Sequence, residues 1–183
     1  MEPLVAWAQA EARSRLERLG NRWLHSEAVA LRASQVSLVC EPADRPLLIA
    51  AALLHDVGYS PELAATGFHP LDGARWLATQ GPQRLAGLVA HHTGARYEAD
   101  ELGLRSALDE FPDEASAVSD ALTYCDLTTG PRGERITAVA RLTEIERRYG
   151  QDSAVVRALK QAAASLSSMV DRTEQRLDRA RVI

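Results

Sequence analysis

The stretch that most constrains this chain runs from residue 47 to residue 60 and reads LLIAAALLHDVGYS. Its first nine residues are Leu, Ile, Ala and His only, so a helix built from them has no polar face and must be buried on all sides. Gly58 suits a helix C-cap, which predicts that His55 and Asp56 occupy the last helical turn. Two adjacent ionisable side chains are costly there unless something pairs with them, and a metal ion is the most economical partner. The alternative is a histidine near the helix dipole beside a capping aspartate.

Composition bounds the class of protein. Of 183 residues, 46% are hydrophobic and 25% are charged, as in an ordinary globular domain, and the abundance of Ala and Leu over aromatics favours helix. The formal charge of −4 gives no electrostatic case for DNA or an anionic membrane as a partner. Lys160 is the single lysine among 21 basic residues, so any phosphate-binding group is expected to be a guanidinium.

Cysteine usage and the amino terminus indicate the compartment. Cys40 and Cys125 are far apart and form no CxxC pair, so they favour reduced packing residues over a disulfide framework or a zinc ribbon. The amino terminus lacks the apolar core of a signal peptide. No stretch approaches the roughly 20 apolar residues of a membrane span. We therefore expect a cytoplasmic protein.

Helical periodicity continues along the whole chain. It predicts further helices over residues 3–19, 21–40, 69–79, 84–92, 112–127, 134–149 and 153–181, with an irregular or short-helical polar stretch at 96–108. The second helix is expected to face inward with Trp23, Leu24, Ala28, Leu31 and Val36. No convincing strand is present, so we predict an all-α, single-domain helical bundle over residues 1–183, with a core at about 20–135 and the helices of 134–181 packed on it. The long last helix either closes the bundle or meets a second copy in a homodimer.

The histidines are unevenly distributed, with none in the C-terminal half of the chain. They are His25, His55, His69, His91 and His92. Each falls near the end of a predicted helix or against an apolar helix face. Asp56 and Asp126 add carboxylates where helices give way to loops. Convergence of several helices would bring these seven side chains to one cavity, as metal sites in helical bundles require.

The order of these residues resembles the HD domain superfamily of metal-dependent phosphohydrolases. The residues that match its pattern are His25, His55-Asp56 and Asp126. His69 in FHPLDGA and the pair His91-His92 in LVAHHTGA resemble the branch that carries two metals. The segments HSEAVALRA, LLHDVGY, HPLDGA, HHTG and DLTTGPR are similar to bacterial HD-type diadenosine tetraphosphate hydrolases. The resemblance covers about residues 25–135 and implies the HD-type helical fold.

The resemblance also implies a set of metal ligands. A first metal would be held by His25, His55, Asp56 and Asp126. Asp56 would bridge to a second metal held by His69 and by His91, His92 or both. His92 aligns better with the family histidine, but either can be the ligand, and the other would be a supporting hydrogen-bond donor or a proton source for the leaving group. The imidazole and carboxylate donors suit one or two ions of iron, manganese, zinc or magnesium.

The chemistry implied is hydrolysis of a phosphate ester or anhydride of a nucleotide or dinucleotide by a metal-activated hydroxide. The residues expected to act in catalysis are Asp56, His91 and Arg132. The guanidiniums expected to bind substrate are Arg96, Arg132 and Arg135, which follow the histidine pair and Asp126. Tyr59 stands where many HD proteins carry a lysine, and its presence removes one expected phosphate contact.

Two other functions fit the sequence. One is a non-catalytic sensor that keeps the metal pocket in order to bind a nucleotide or signalling ligand. The other is a helical interaction module whose histidines are ordinary core residues. The enzyme and the sensor share the same kind of partner, a small phosphorylated molecule.

Overall fold

A computed structural model describes residues 2–181 as a bundle of α-helices, numbered in chain order. The helices are α1 Pro3–Leu16, α2 Asn21–Val36, α3 Arg45–Leu54, α4 His69–Gln80, α5 Gln83–His91, α6 Ala95–Leu102, α7 Arg105–Leu108, α8 Ala117–Leu127, α9 Ala138–Tyr149 and α10 Ala154–Arg181. Within residues 2–181 the only β-type pairing is an isolated bridge between Thr129 and Arg135. The all-α prediction is confirmed.

Helix α3 lies at the centre of the bundle. Leu48, Leu53 and Leu54 are at most 1% exposed, and helices α1, α2, α5 and α8 all pack against α3. Burial of each leucine stabilises the fold by about 1.5–3 kcal/mol. The helix ends at Leu54, so His55 and Asp56 lie immediately beyond its last turn, where both are buried in the interior of the bundle.

Gly58 has a different role from the C-cap that the sequence predicts. It lies in a 3₁₀ turn, Val57–Tyr59, and it is not among the glycines with positive φ. A Cβ at this position would lie 2.1 Å from the carbonyl oxygen of His69 and 2.7 Å from the amide nitrogen of Gly73. Glycine is needed because the backbone of α4 packs directly on the turn, and this close packing brings His69 beside Asp56.

The inward face of α2 matches the predicted one in part, since Trp23 and Val36 are buried as expected. Leu24 and Leu31 are 47% and 61% exposed, so their predicted burial is wrong. The buried face instead includes His25 and Arg32, and the Arg32 guanidinium donates a hydrogen bond to the Tyr124 hydroxyl at 2.7 Å. Polar side chains face inward here because the bundle supplies them with partners.

The C-terminal part of the chain covers one side of the bundle. The polar stretch at 96–108 is more regular than expected and forms α6 and α7, held by the buried side chains of Ala95, Ala99 and Leu108. Helix α10 packs on α6, α8 and α9. None of the helices within residues 2–181 combines the length and apolar character needed to cross a bilayer.

Candidate metal centre

The predicted ligands lie where helices begin or end. His25 is in the second turn of α2, His55 and Asp56 follow α3, His69 is the first residue of α4, His92 follows α5, and Asp126 lies in the last turn of α8. Because these helix ends converge, side chains far apart in sequence become neighbours. His25, His55, Asp56, His92 and Asp126 are at most 7% exposed.

The side chains form two overlapping groups of possible metal ligands that share Asp56. One group is His25, His55 and Asp56, and the other is Asp56, His69 and His92; within each group the ligand atoms lie within 4.8 Å of one another. The two carboxylate oxygens of Asp56 face different histidines. Oδ2 lies 3.5 Å from Nε2 of His55, and Oδ1 lies 3.4 Å from Nε2 of His69.

The adjacent histidines His91 and His92 point in different directions. Helix α5 ends at His91, whose Nε2–H donates to the carbonyl oxygen of Phe111 at 2.8 Å. His92 adopts an extended conformation, φ −63° and ψ 148°, which turns its ring towards His55 and His69. His91 is therefore outside the cluster that the sequence predicted it to join.

Backbone carbonyls set the tautomers of three histidines. The Nδ1–H groups of His25, His55 and His92 donate to the carbonyl oxygens of Gly130, Ala52 and Val89 at 3.0, 2.8 and 2.6 Å. For His55 and His92, Nε2 is then left with a free lone pair that faces the cluster, whereas Nε2 of His25 lies 3.0 Å from Oδ1 of Asp126. Nε2 of His55 is buried and has no hydrogen-bond partner among residues 2–181, and the Nε2 atoms of His69 and His92 lie 3.3 Å apart. A cation between these lone pairs would satisfy them, so the donor set fits a divalent metal.

The protonation states also suit metal ligation. Burial lowers the pKa of His55 to about 4 and lowers that of His69 well below its usual value, so both rings are neutral at pH 7. Burial opposes ionisation of Asp56, but His55 and Arg22 outweigh it and keep the pKa of that carboxyl below its usual range. Neutral imidazole and ionised carboxylate are the forms that bind metals.

The comparison with protein families supports the same conclusion. The sequence model described as the HD domain matches residues 22–162, which include all of the clustered side chains. The chain belongs to the HD domain family. Members of this family are generally metal-dependent phosphohydrolases, although some are non-catalytic. Neither the comparison with curated proteins nor the comparison with solved structures gives a significant match.

Asp126 of this HD domain contacts the cluster of candidate ligands through His25. Its Oδ1 lies 3.0 Å from Nε2 of His25, and its Oδ2 accepts a hydrogen bond from the Thr93 hydroxyl. Burial alone would raise its pKa, but the hydrogen bond with His25 lowers it well below the usual value. The guanidinium of Arg141 lies farther away, with Nη2 at 3.9 Å from Oδ1.

Arg22 supplies a cation near the place where the sequence lacks the expected lysine. Its guanidinium donates to Oδ2 of Asp56 at 2.8 Å and lies 3.8 Å from the centre of the Tyr59 ring. The Tyr59 ring also stacks on the ring of His69, with centroids 4.0 Å apart. Tyr59 thus bridges Arg22 to a candidate metal ligand. Arg22 was not predicted, although its position three residues before His25 places both on one face of α2.

The predicted substrate-binding arginines lie outside the metal cavity. Arg96 is exposed and stacks on Tyr97, while Arg135 is exposed beside Thr129 in the backbone bridge. Arg132 is exposed and lines a neighbouring cavity. The guanidiniums that line the metal cavity itself are those of Arg22, Arg141 and Arg148. Arg141 and Arg148 were missed, although their seven-residue spacing on α9 is the helical signal for a shared face.

The remainder of the cavity is largely apolar. Its lining there consists of Ile145 and Tyr149 from α9 and Val155, Ala158 and Leu159 from α10. Glu98 of α6 lines the same cavity. A wall of this kind offers an apolar surface next to the cluster of charges and imidazoles, as small-molecule sites do.

Proposed function

We propose that this HD domain is a metal-dependent phosphohydrolase that cleaves a phosphate ester or anhydride of a nucleotide or dinucleotide. The observation that supports it best is the convergence of His25, His55, Asp56, His69 and His92 into two ligand groups that share one carboxylate. Two metal sites that share a carboxylate ligand are a common arrangement in enzymes that catalyse in-line displacement at phosphorus.

The residues have separate tasks in this proposal. His25, His55, Asp56 and Asp126 would hold one divalent ion, and Asp56, His69 and His92 would hold a second. A bound divalent metal supplies positive charge beside a phosphate oxygen and lowers the pKa of water. The backbone carbonyls of Gly130, Ala52 and Val89 keep the three histidine rings oriented, so no reorganisation is needed when the ligand binds.

The arginines of the cavity would bind the phosphate. Arg148 reaches the cavity from α9 and is paired with Glu144, and Arg22 reaches it from α2. Guanidinium groups match the geometry of phosphate oxygens and stay charged at every relevant pH. In this proposal they take over the task that the sequence analysis assigned to Arg96, Arg132 and Arg135.

The apolar wall would receive the body of the substrate. Tyr149, Val155 and Leu159 offer surface against which a nucleobase can pack. The motif resemblance to bacterial HD-type hydrolases makes diadenosine tetraphosphate the first dinucleotide to test. A homodimer formed through α10 stays a prediction.

Elemental analysis of the purified protein followed by turnover measurements tests the proposal. The protein is reconstituted with iron, manganese, zinc or magnesium, and release of phosphate or nucleotide is followed for mononucleotides and for diadenosine tetraphosphate. We expect near-stoichiometric metal and turnover with at least one combination. Metal and tight nucleotide binding without any turnover would support the sensor instead. Absence of bound metal under every condition would support the interaction module and overturn the proposal.

A further inference from the structure

Glu98 shares the cavity with the candidate metal ligands, and a short turn places it there. Thr93 and Gly94, directly after His92, both have positive φ, 48° and 74°. These two left-handed residues reverse the chain so that α6 begins at Ala95. Glu98 then lies one turn into α6, and the cavity that it lines is the one lined by His92 and Asp56.

The carboxyl group of Glu98 differs from its neighbours in having no partner. It forms neither a hydrogen bond nor an ion pair with any residue in the described range 2–181. The other acidic residues of α6 are paired on the outside of the bundle. Glu101 accepts from Arg157 and Gln161, and Asp100 pairs with Arg105. Glu98 therefore differs from the other acidic residues of α6, whose carboxylates are paired.

The cavity holds carboxyl groups of two kinds. Burial raises the pKa of Glu98, and no charged partner opposes that shift. The pKa values of Asp56 and Asp126 are lowered, because histidine and arginine partners outweigh their burial. Carboxyl groups whose surroundings push their pKa values apart divide the acid and base roles of a site between them. In this cavity the aspartates face the histidines, whereas Glu98 lines the cavity without a charged partner among the described residues.

We propose that Glu98 is the general acid that protonates the leaving group, an inference that rests on the proposed phosphohydrolase function. In the step, a water oxygen forms a bond to phosphorus while the bond from phosphorus to the leaving oxygen breaks. The proton of the Glu98 carboxyl passes to the leaving oxygen, and the proton lost by the water returns to the Glu98 carboxylate through solvent. Glu98 suits this task because it lies in the same cavity as the ligand cluster but is outside both ligand groups.

Leaving groups of different basicity test the role. The pair of substrates is a natural nucleotide ester, a nucleoside monophosphate whose leaving group is a ribose alkoxide, and its counterpart in which 4-nitrophenol replaces the nucleoside. Because 4-nitrophenolate departs without protonation and a ribose alkoxide does not, only the natural nucleotide needs the acid. We expect Glu98→Gln to lower kcat for the natural nucleotide by about 10²- to 10³-fold and to change kcat for the 4-nitrophenyl counterpart by less than about threefold.

Controls separate this role from structural effects and from the proposed function. Glu101→Gln makes the same change on the outer side of α6 and should leave both rates unchanged. Metal content, measured by elemental analysis, should be equal in Glu98→Gln and wild type. Equal losses with both substrates, no loss with either, or a loss of metal in Glu98→Gln would overturn the role of Glu98. Turnover of diadenosine tetraphosphate alone would also overturn the role of Glu98, because its phosphate leaving group needs no acid. Absence of turnover by the metal-loaded wild type with both substrates and with diadenosine tetraphosphate would instead overturn the proposed function itself.

Discussion

Two walls of the cavity differ in how their polar groups are held. The helical wall is formed by α9 and α10, and the ligand wall is formed by His25, His55, Asp56, His69 and His92. In the ligand wall, histidine rings donate to backbone carbonyls and face a buried carboxylate. In the helical wall, Arg148 pairs with Glu144 on its own helix, and the Arg148 side chain is 34% exposed. Hydrogen bonds to the backbone fix the histidine rings in position, whereas the long Arg148 side chain lies partly in solvent and can move.

Under the proposed function, the two walls have different tasks. Groups that coordinate a metal need fixed positions, and supporting hydrogen bonds to the backbone provide them. Groups that bind a substrate can adjust, and an exposed ion pair contributes only about 0–1 kcal/mol to stability. We therefore expect changes in the ligand wall to abolish function and changes in the helical wall to tune it.

The largest effect is expected from Asp56→Ala, because Asp56 belongs to both ligand groups. The variant should lose its metal, and activity should fall by about 10³-fold or more, since the metal supplies several kcal/mol of transition-state stabilisation. Elemental analysis and initial rates measure both quantities, and far-UV circular dichroism reports whether the helices persist. Asp109→Ala, at an exposed aspartate paired with Arg105, is the control. Retention of metal by Asp56→Ala would contradict the division of tasks.

The adjacent histidines give the next largest contrast. His92→Ala should remove one of two bound metals and lower activity by about 10²-fold, since a metal ligand is lost. His91→Ala should keep both metals. Its cost should be to stability, about 1–3 kcal/mol in the free energy of unfolding, because the Phe111 carbonyl loses its donor. Metal content and urea unfolding distinguish the two variants, and loss of metal in His91→Ala would return His91 to the ligand set.

Gly58→Ala tests whether close packing of α4 holds the ligand wall together. The added Cβ would meet backbone atoms of His69 and Gly73, which cannot move without shifting α4. We expect the free energy of unfolding to fall by about 1–3 kcal/mol and metal affinity to weaken with it, because His69 is displaced from Asp56. Gly81→Ala is the matched control, since a Cβ there meets nothing within 4 Å. Equal stability of the two variants in thermal unfolding would contradict this account.

That His55 and Asp56 lie in a cluster of possible metal ligands could be predicted because they break an otherwise apolar pattern. His55 and Asp56 end a run with no polar residue, and ionisable groups in such a place need a partner that only a few structures can supply. The direction of each ring could not be predicted. His91 and His92 are equivalent in sequence, and what separates them is the extended ψ of His92 at the end of α5. The turn that follows packs on α10, where a Cβ added at Gly94 would lie 3.1 Å from Cβ of Ala162, and the local sequence does not reveal such a tertiary contact.

The arginines that line the cavity could not be predicted from the sequence. Arg96, Arg132 and Arg135 were chosen for nearness in sequence to the ligands, but nearness along a helix or loop does not decide which way a side chain points. The cavity arginines Arg141 and Arg148 come from α9, whose place against the site depends on tertiary packing. A similar failure affected Leu24, which is exposed because α2 turns polar groups inward where the bundle satisfies them.

The smallest effect is expected from Arg148→Ala, which addresses the helical wall alone. Its guanidinium lines the cavity but is also paired with Glu144 and partly exposed, so its contribution to phosphate binding should be reduced by solvent. We expect KM to rise by about three- to tenfold with little change in kcat and no change in metal content. Arg96→Ala, which removes an exposed arginine outside the cavity, should leave KM unchanged. If Arg148→Ala lowered kcat as strongly as His92→Ala does, the helical wall would be part of the fixed machinery of the site. The two walls would then differ in construction but not in task.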